Sequence, residues 1–166
     1  ATGANSVLKG YGAQGTGAWA AGANMPSAKA SVMGAGTQNA GLVFGGNPPL
    51  IADTFEYNGS VWSEGGDLNT ARQDGIGVGL QTAALALGGQ PRNGTADDAV
   101  ESYNGSSWTE LAEYNTARSS QGAAVRGTTT DTIMFAGNDG THTNVAETWD
   151  GSSWTEVGDL NTERYD

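Results

Sequence analysis

The chain has 166 residues, with 18 acidic and 7 basic side chains, one histidine, 27 glycines, no cysteine and a formal charge of −11. That charge repels phosphate backbones and anionic lipid headgroups, and the scattered basic residues form no patch, so neither nucleic acid nor membrane insertion is expected. Without cysteine there is no disulfide framework or thiolate metal site. No stretch approaches the roughly 20 apolar residues of a membrane span, and a glycine-rich, charge-poor composition favours short strands over long helices.

In chain order, Ser6 to Tyr11 is a candidate strand, and Ala18-Trp19-Ala20 with Met25-Pro26-Ser27-Ala28-Lys29 reads as an outer strand and its exit loop, together spanning 1–29. Residues 30–67 hold an apolar run, Leu42-Val43-Phe44-Gly45-Gly46, and then Glu56-Tyr57-Asn58-Gly59-Ser60-Val61-Trp62. Residues 68–114 repeat both as Leu85-Ala86-Leu87-Gly88-Gly89 and Glu101-Ser102-Tyr103-Asn104-Gly105-Ser106-Ser107-Trp108. Residues 115–159 repeat them again as Ile133-Met134-Phe135-Ala136-Gly137 and Glu147-Thr148-Trp149-Asp150-Gly151-Ser152-Ser153-Trp154, and 160–166 begin a further copy. Successive tryptophans are 46 residues apart (108 − 62 and 154 − 108), as are Arg72, Arg118 and Arg164 of a recurring Asn-Thr-Ala/Glu-Arg motif. Several motifs kept in one register define a structural unit.

Within the middle copy, glycine alternating with Ile76, Val78 and Leu80 predicts a strand a over 73–81 with one apolar face. Ala83 to Leu87 reads as strand b, Ala99 to Tyr103 as c, and Ser106 to Leu111 as d. Asn104-Gly105 predicts a type I′ hairpin between c and d, as do Asn58-Gly59 and Asp150-Gly151. Each copy is therefore expected to be a four-stranded antiparallel meander, in an all-β chain.

A period of roughly 40 to 50 residues with four strands per unit is the signature of a β-propeller blade. The pattern also resembles the kelch repeat, in which a basic residue precedes the innermost strand, Gly-Gly closes the second, and an aromatic and a tryptophan mark the outer two. Arg72, Gly88-Gly89, Tyr103 and Trp108 fill those places, while the third copy departs with Ala136-Gly137. The variant looks more like the kelch-like arrays of galactose-oxidase-type propellers and of repetitive virion or cell-surface proteins than like intracellular adaptors. The resemblance implies about three and a half blades in this chain. It places the small residues Gly34, Gly36, Gly77, Gly79 and Ala123 on crowded innermost strands, and Trp62, Trp108 and Trp154 in the core between blades.

In a propeller the b–c and d–a loops share one face, and the b–c loops here vary around a regular scaffold, which is how such folds place recognition. Candidate ligand contacts are Lys29, Arg72, Arg118 and Arg164 at the channel mouth, with Arg92, Asp97, Asp98, Asp139 and His142 on the b–c loops. The competing reading of the basic series is a structural ion pair with Glu56, Glu101 and Glu147 at fixed register.

No catalytic residue, metal or cofactor is expected. One histidine and no cysteine cannot build a galactose-oxidase-type copper site, and Asp150 precedes Trp154 by four residues where a sialidase-type Asp box has five. His142 with Asp139 hints at a weak metal contact at most, and Asp97-Asp98 lacks the spacing of a calcium loop. Gly10-Tyr11-Gly12-Ala13-Gln14-Gly15 matches a dinucleotide glycine pattern but no helix follows it. Asn58, Asn93 and Asn104 head glycosylation sequons that matter only in a eukaryotic secretory pathway.

The expected function is a non-catalytic recognition or adhesion module binding a carbohydrate or surface protein, outside the cell or on a virion surface. The alternatives are an assembly element of a fibre or shell, and a propeller hydrolase or lyase. With three complete blades, the expectation is an incomplete segment that still associates, either with further copies or within a longer parent chain, because an unpaired blade face would otherwise be exposed.

Overall fold

A computed structural model describes residues 22–91, 94–124 and 127–163. The described residues form strands and turns with no helix, so none is long and apolar enough to cross a membrane. The strands make three antiparallel sheets, none of them closed. The first is β1 (Met33–Thr37), β2 (Ala40–Phe44), β3 (Thr54–Tyr57) and β4 (Trp62–Glu64), in that spatial order. In the middle sheet, β5 (Arg72–Gln73) and β6 (Ile76–Leu80) both pair with β7 (Ala83–Pro91), followed by β8 (Asp97–Tyr103) and β9 (Trp108–Glu110). The last is β10 (Gly122–Ala123), β11 (Thr132–Phe135), β12 (Ala146–Trp149) and β13 (Trp154–Val157). Each repeat is thus one four-stranded meander, with strand a of the middle repeat split at Asp74 and Gly75. The candidate strands within 1–21 lie outside the described residues.

Alternation along β7 builds the core. Because successive side chains point to opposite faces of a sheet, Ala84 and Ala86 join Met33, Leu42, Phe44, Leu68, Tyr103 and Trp108 on one side. Leu85 and Leu87 join Val78, Val100, Tyr114, Met134, Trp149 and Trp154 on the other. The middle sheet is therefore sandwiched, and each of its buried leucines contributes about 1.5–3 kcal/mol. Trp108 lies 4.6 Å from Phe44 between ring centroids, and its indole N–H donates to Thr54 Oγ1 at 3.0 Å. Trp108 and Trp154 are core residues as expected, whereas Trp62 is only half-buried and donates to the Ala23 carbonyl.

Strands β1 and β6 lie backbone to backbone. A Cβ on Gly77 would stand 2.3 Å from the Gly34 carbonyl oxygen, so this approach requires glycine. Just before these strands, Ser31, Asp74 and Ser120 occupy equivalent positions, all in the left-handed region (φ 53°, 55° and 52°). They link the sheets through their backbones: Asp74 N–H donates to Ser31 O at 3.3 Å, and Ser120 N–H to Asp74 O at 2.8 Å.

The hairpins between strands c and d differ from expectation. Positive φ falls on Gly59, Gly105 and Gly151 but not on Asn58, Asn104 or Asp150, and a type I′ turn needs it at both central residues. The preceding side chain organises the turn instead: Asn104 Oδ1 accepts the N–H groups of Ser106 and Ser107, both at 3.0 Å.

Candidate functional site

Each sheet hands over to the next through the same buried junction. Arg72 follows the lead-in Leu68-Asn69-Thr70-Ala71, and its guanidinium donates to the Ala99 carbonyl at 3.1 Å and to Glu101 Oε1. The other oxygen of Glu101 accepts the backbone N–H of Asn69 at 2.8 Å and its side-chain amide at 2.9 Å. One repeat later Arg118 donates to the Val145 carbonyl at 2.9 Å and to Glu147 Oε1, and Glu147 Oε2 accepts the same two groups of Asn115 at 2.8 and 2.7 Å. Both arginine side chains are fully buried. Burial lowers the Arg118 pKa, with Glu147 opposing that shift. The arginine backbones also tie neighbouring sheets together, for Gly46 N–H donates to Arg72 O at 2.9 Å and Gly89 N–H to Arg118 O at 3.3 Å.

The b–c connections rest on these junctions. Leu68 N–H donates to Ala52 O at 2.9 Å, Tyr114 N–H to Asp98 O at 3.3 Å, and Leu160 N–H to Asn144 O at 2.9 Å. Each lead-in is therefore pinned to the end of the preceding b–c loop, so the two kinds of loop share one face. Tyr114 adds its hydroxyl to the Asp97 and Arg118 carbonyls, and burial pushes its pKa up.

The candidate contacts are distributed over this face rather than gathered in one cluster. Arg72 and Arg118 turn their guanidinium groups inward onto Glu101 and Glu147, away from solvent. Lys29 stays partly exposed and donates to the Pro48 carbonyl at 3.2 Å. Asp97 opens β8, its carboxylate accepting Ala99 N–H at 3.3 Å, and Asp98 follows it. Asp139 accepts the N–H and hydroxyl of Thr141 at 3.0 and 3.1 Å, and that backbone hydrogen bond chiefly holds its pKa below the usual value. His142 forms an isolated bridge with Asn138 across the same loop. Arg92 and Arg164 lie outside the described residues.

Glu56 departs from the expected series. Cross-strand pairing places Glu56 opposite Leu42, as Ser102 is opposite Leu85 and Thr148 opposite Ile133. It therefore points to the face away from the ion-pair position, where it accepts the Tyr103 hydroxyl of the next sheet at 2.7 Å. Asn69 and Asn115 were legible only as members of the repeated Asn-Thr-Ala-Arg string; their fixed offset of three residues before the arginine was the available signal.

Strands β1 and β6, the start of β2 and the loop at Gly127-Thr128 line an open groove of about 860 Å³, walled by glycines, Ala35, Leu42, Val43 and Leu80. Among the described residues no group of three or more His, Cys, Asp or Glu side chains is placed to hold a metal ion. No protein-family model matches the chain, and no match is found among curated proteins.

Proposed function

We propose that this chain is a run of kelch-like propeller blades serving as a non-catalytic recognition or adhesion module, with a carbohydrate or a surface protein as its ligand. The observation that carries this reading is a contrast on one face. The junctions Arg72–Glu101–Asn69 and Arg118–Glu147–Asn115 repeat the same bonds, whereas the b–c loops on the same face differ in sequence, as Asn47 to Asp53 does from Asn138 to Asn144. A constant frame under divergent loops is the build of a binding scaffold. The acidic, cysteine-free composition suits a site outside the cell or on a virion surface.

The test is a screen on a glycan array and intact cells, followed by exchange of residues 138–144 for 47–53. Binding that survives replacement of every b–c loop overturns the reading. An assembly role has its own supporting observation: Ile133 and Phe135 are half-buried, while their counterparts Leu42, Phe44, Leu85 and Leu87 are at most 1 % exposed. Light scattering across a concentration series distinguishes the two, since a stable dimer or trimer with no ligand in either screen favours assembly.

A further inference from the structure

The c–d turns carry Asn58, Asn104 and Asp150 at one position, each followed by glycine. In all three the first side-chain oxygen accepts the next-but-one and following backbone N–H groups: Ser60 and Val61 at 3.0 Å, Ser106 and Ser107 at 3.0 Å, Ser152 and Ser153 at 2.8 Å. The bond that closes each turn uses the N–H of the asparagine or aspartate itself, as in Asn104 N–H to Ser107 O at 3.2 Å, and leaves the glycine N–H out of it.

We propose that Asn104, and more slowly Asn58, are sites of spontaneous deamidation, which converts their turns to the aspartate form already present at Asp150. The Gly105 nitrogen bonds to Asn104 Cγ and gives up its proton, and the electron pair of the C=O bond moves onto Oδ1. Two backbone N–H groups already point at that oxygen, with the Ser106 hydroxyl at 2.9 Å as a third donor, so the developing oxyanion is met by fixed dipoles. Collapse expels the side-chain nitrogen as ammonia and leaves a cyclic imide. Water then adds to one imide carbonyl and opens the ring, so water is consumed, ammonia is released and nothing is oxidised. Both asparagines are exposed, so water has access.

The product fits the turn. Asp150 makes the same two backbone bonds and adds Ser152 Oγ at 2.9 Å and Ser153 Oγ at 3.2 Å, and an ionised oxygen is the stronger acceptor. Opening at the other carbonyl gives isoaspartate, which lengthens the backbone and breaks the pairing of Tyr103 with Trp108. Asn58 has no serine hydroxyl on its oxygen within these bonds, which sets the order of rates.

The experiment holds the folded protein at mildly alkaline pH and maps peptides by mass spectrometry, following the gain of about 1 Da at each site. A parallel sample is unfolded in urea. The expected result is faster conversion at Asn104 folded than unfolded, faster conversion at Asn104 than at Asn58, and similar rates for both in urea. Ser106→Ala slows Asn104 severalfold and leaves Asn58 in the same molecule unchanged, which also reports that the variant is folded. Slower conversion at Asn104 folded than unfolded, or no response to Ser106→Ala, overturns the proposal.

Discussion

Phe55 and Glu101 hold the same place in their sheets: Phe55 pairs with Val43 as Glu101 pairs with Ala86, and Glu147 with Met134. Where the carboxylate gives way to a phenyl ring, its partners change too. The bridge Ala30 to Asn47 corresponds to the pairing of Gln73 with Gln90, so Lys29 stands where Arg72 does and Pro26 where Asn69 does. The donors that Glu101 satisfies, the Arg72 guanidinium and the backbone and side-chain N–H groups of Asn69, have no counterpart there, because proline has no N–H and Lys29 turns to Pro48. A buried carboxylate needs every partner, and removing one leaves an uncompensated charge. The first repeat escapes that cost by replacing all three residues.

Transplanting the first repeat's solution into the second tests this coupling. Glu101→Phe alone strands a buried Arg72 and is expected to cost about 3–5 kcal/mol. Adding Arg72→Lys and Asn69→Pro restores most of that loss. Urea denaturation of the single and triple variants measures it, and a triple variant no more stable than Glu101→Phe refutes the coupling.

The repeat and the four-strand unit were legible because strand periodicity and a 46-residue register are properties of the string itself. The faces were less so. Glu56 precedes its tyrosine directly while Glu101 has Ser102 between, and one residue in a strand reverses the face. Grouping the glutamates by their nearness to the aromatic residue and the turn therefore aligned three that the sheets place on opposite sides. The left-handed Ser31, Asp74 and Ser120 carried no signal either, since neither serine nor aspartate requires positive φ.

Asp150 gives the fold a defined acid response. Hydrogen bonds from the N–H groups of Ser153 and Ser152 hold its pKa at about 2, below the usual 3.8. A group depressed in the fold stabilises it above its unfolded pKa and loses that contribution as pH falls through the folded value. The loss therefore runs from about pH 4 to about pH 2. Asp150→Asn, which copies the turns at Asn58 and Asn104, is expected to flatten the thermal midpoint across that window. An unchanged acid slope refutes it.

Tyr103 responds at the opposite end. Burial, then the hydrogen bond to Glu56 and the charge of that carboxylate, push its pKa up from 10.0 to about 12. The raised value means that stability is full below pH 10 and declines as pH rises through about 12. Ultraviolet titration of the phenolate is expected to show a lower midpoint in Glu56→Gln, because the charge is gone while an acceptor remains. No shift assigns the whole effect to burial.

The contact between β1 and β6 leaves no room for a methyl group. A Cβ on Gly77 would meet the Gly34 carbonyl oxygen at 2.3 Å, its carbon at 2.7 Å and Phe44 Cζ at 2.8 Å. Two of these three atoms are backbone, so relief requires the sheets to move apart rather than a side chain to rotate. Gly77→Ala is expected to cost at least the 1–3 kcal/mol or so typical of overpacking. Gly158 has nothing within 4 Å of its would-be Cβ, so Gly158→Ala stays within about 0.5 kcal/mol of the parent. Denaturant midpoints measured side by side decide the matter: equal losses at the two positions refute the close contact of β1 with β6, and a loss confined to Gly77 fixes that contact as part of the fold.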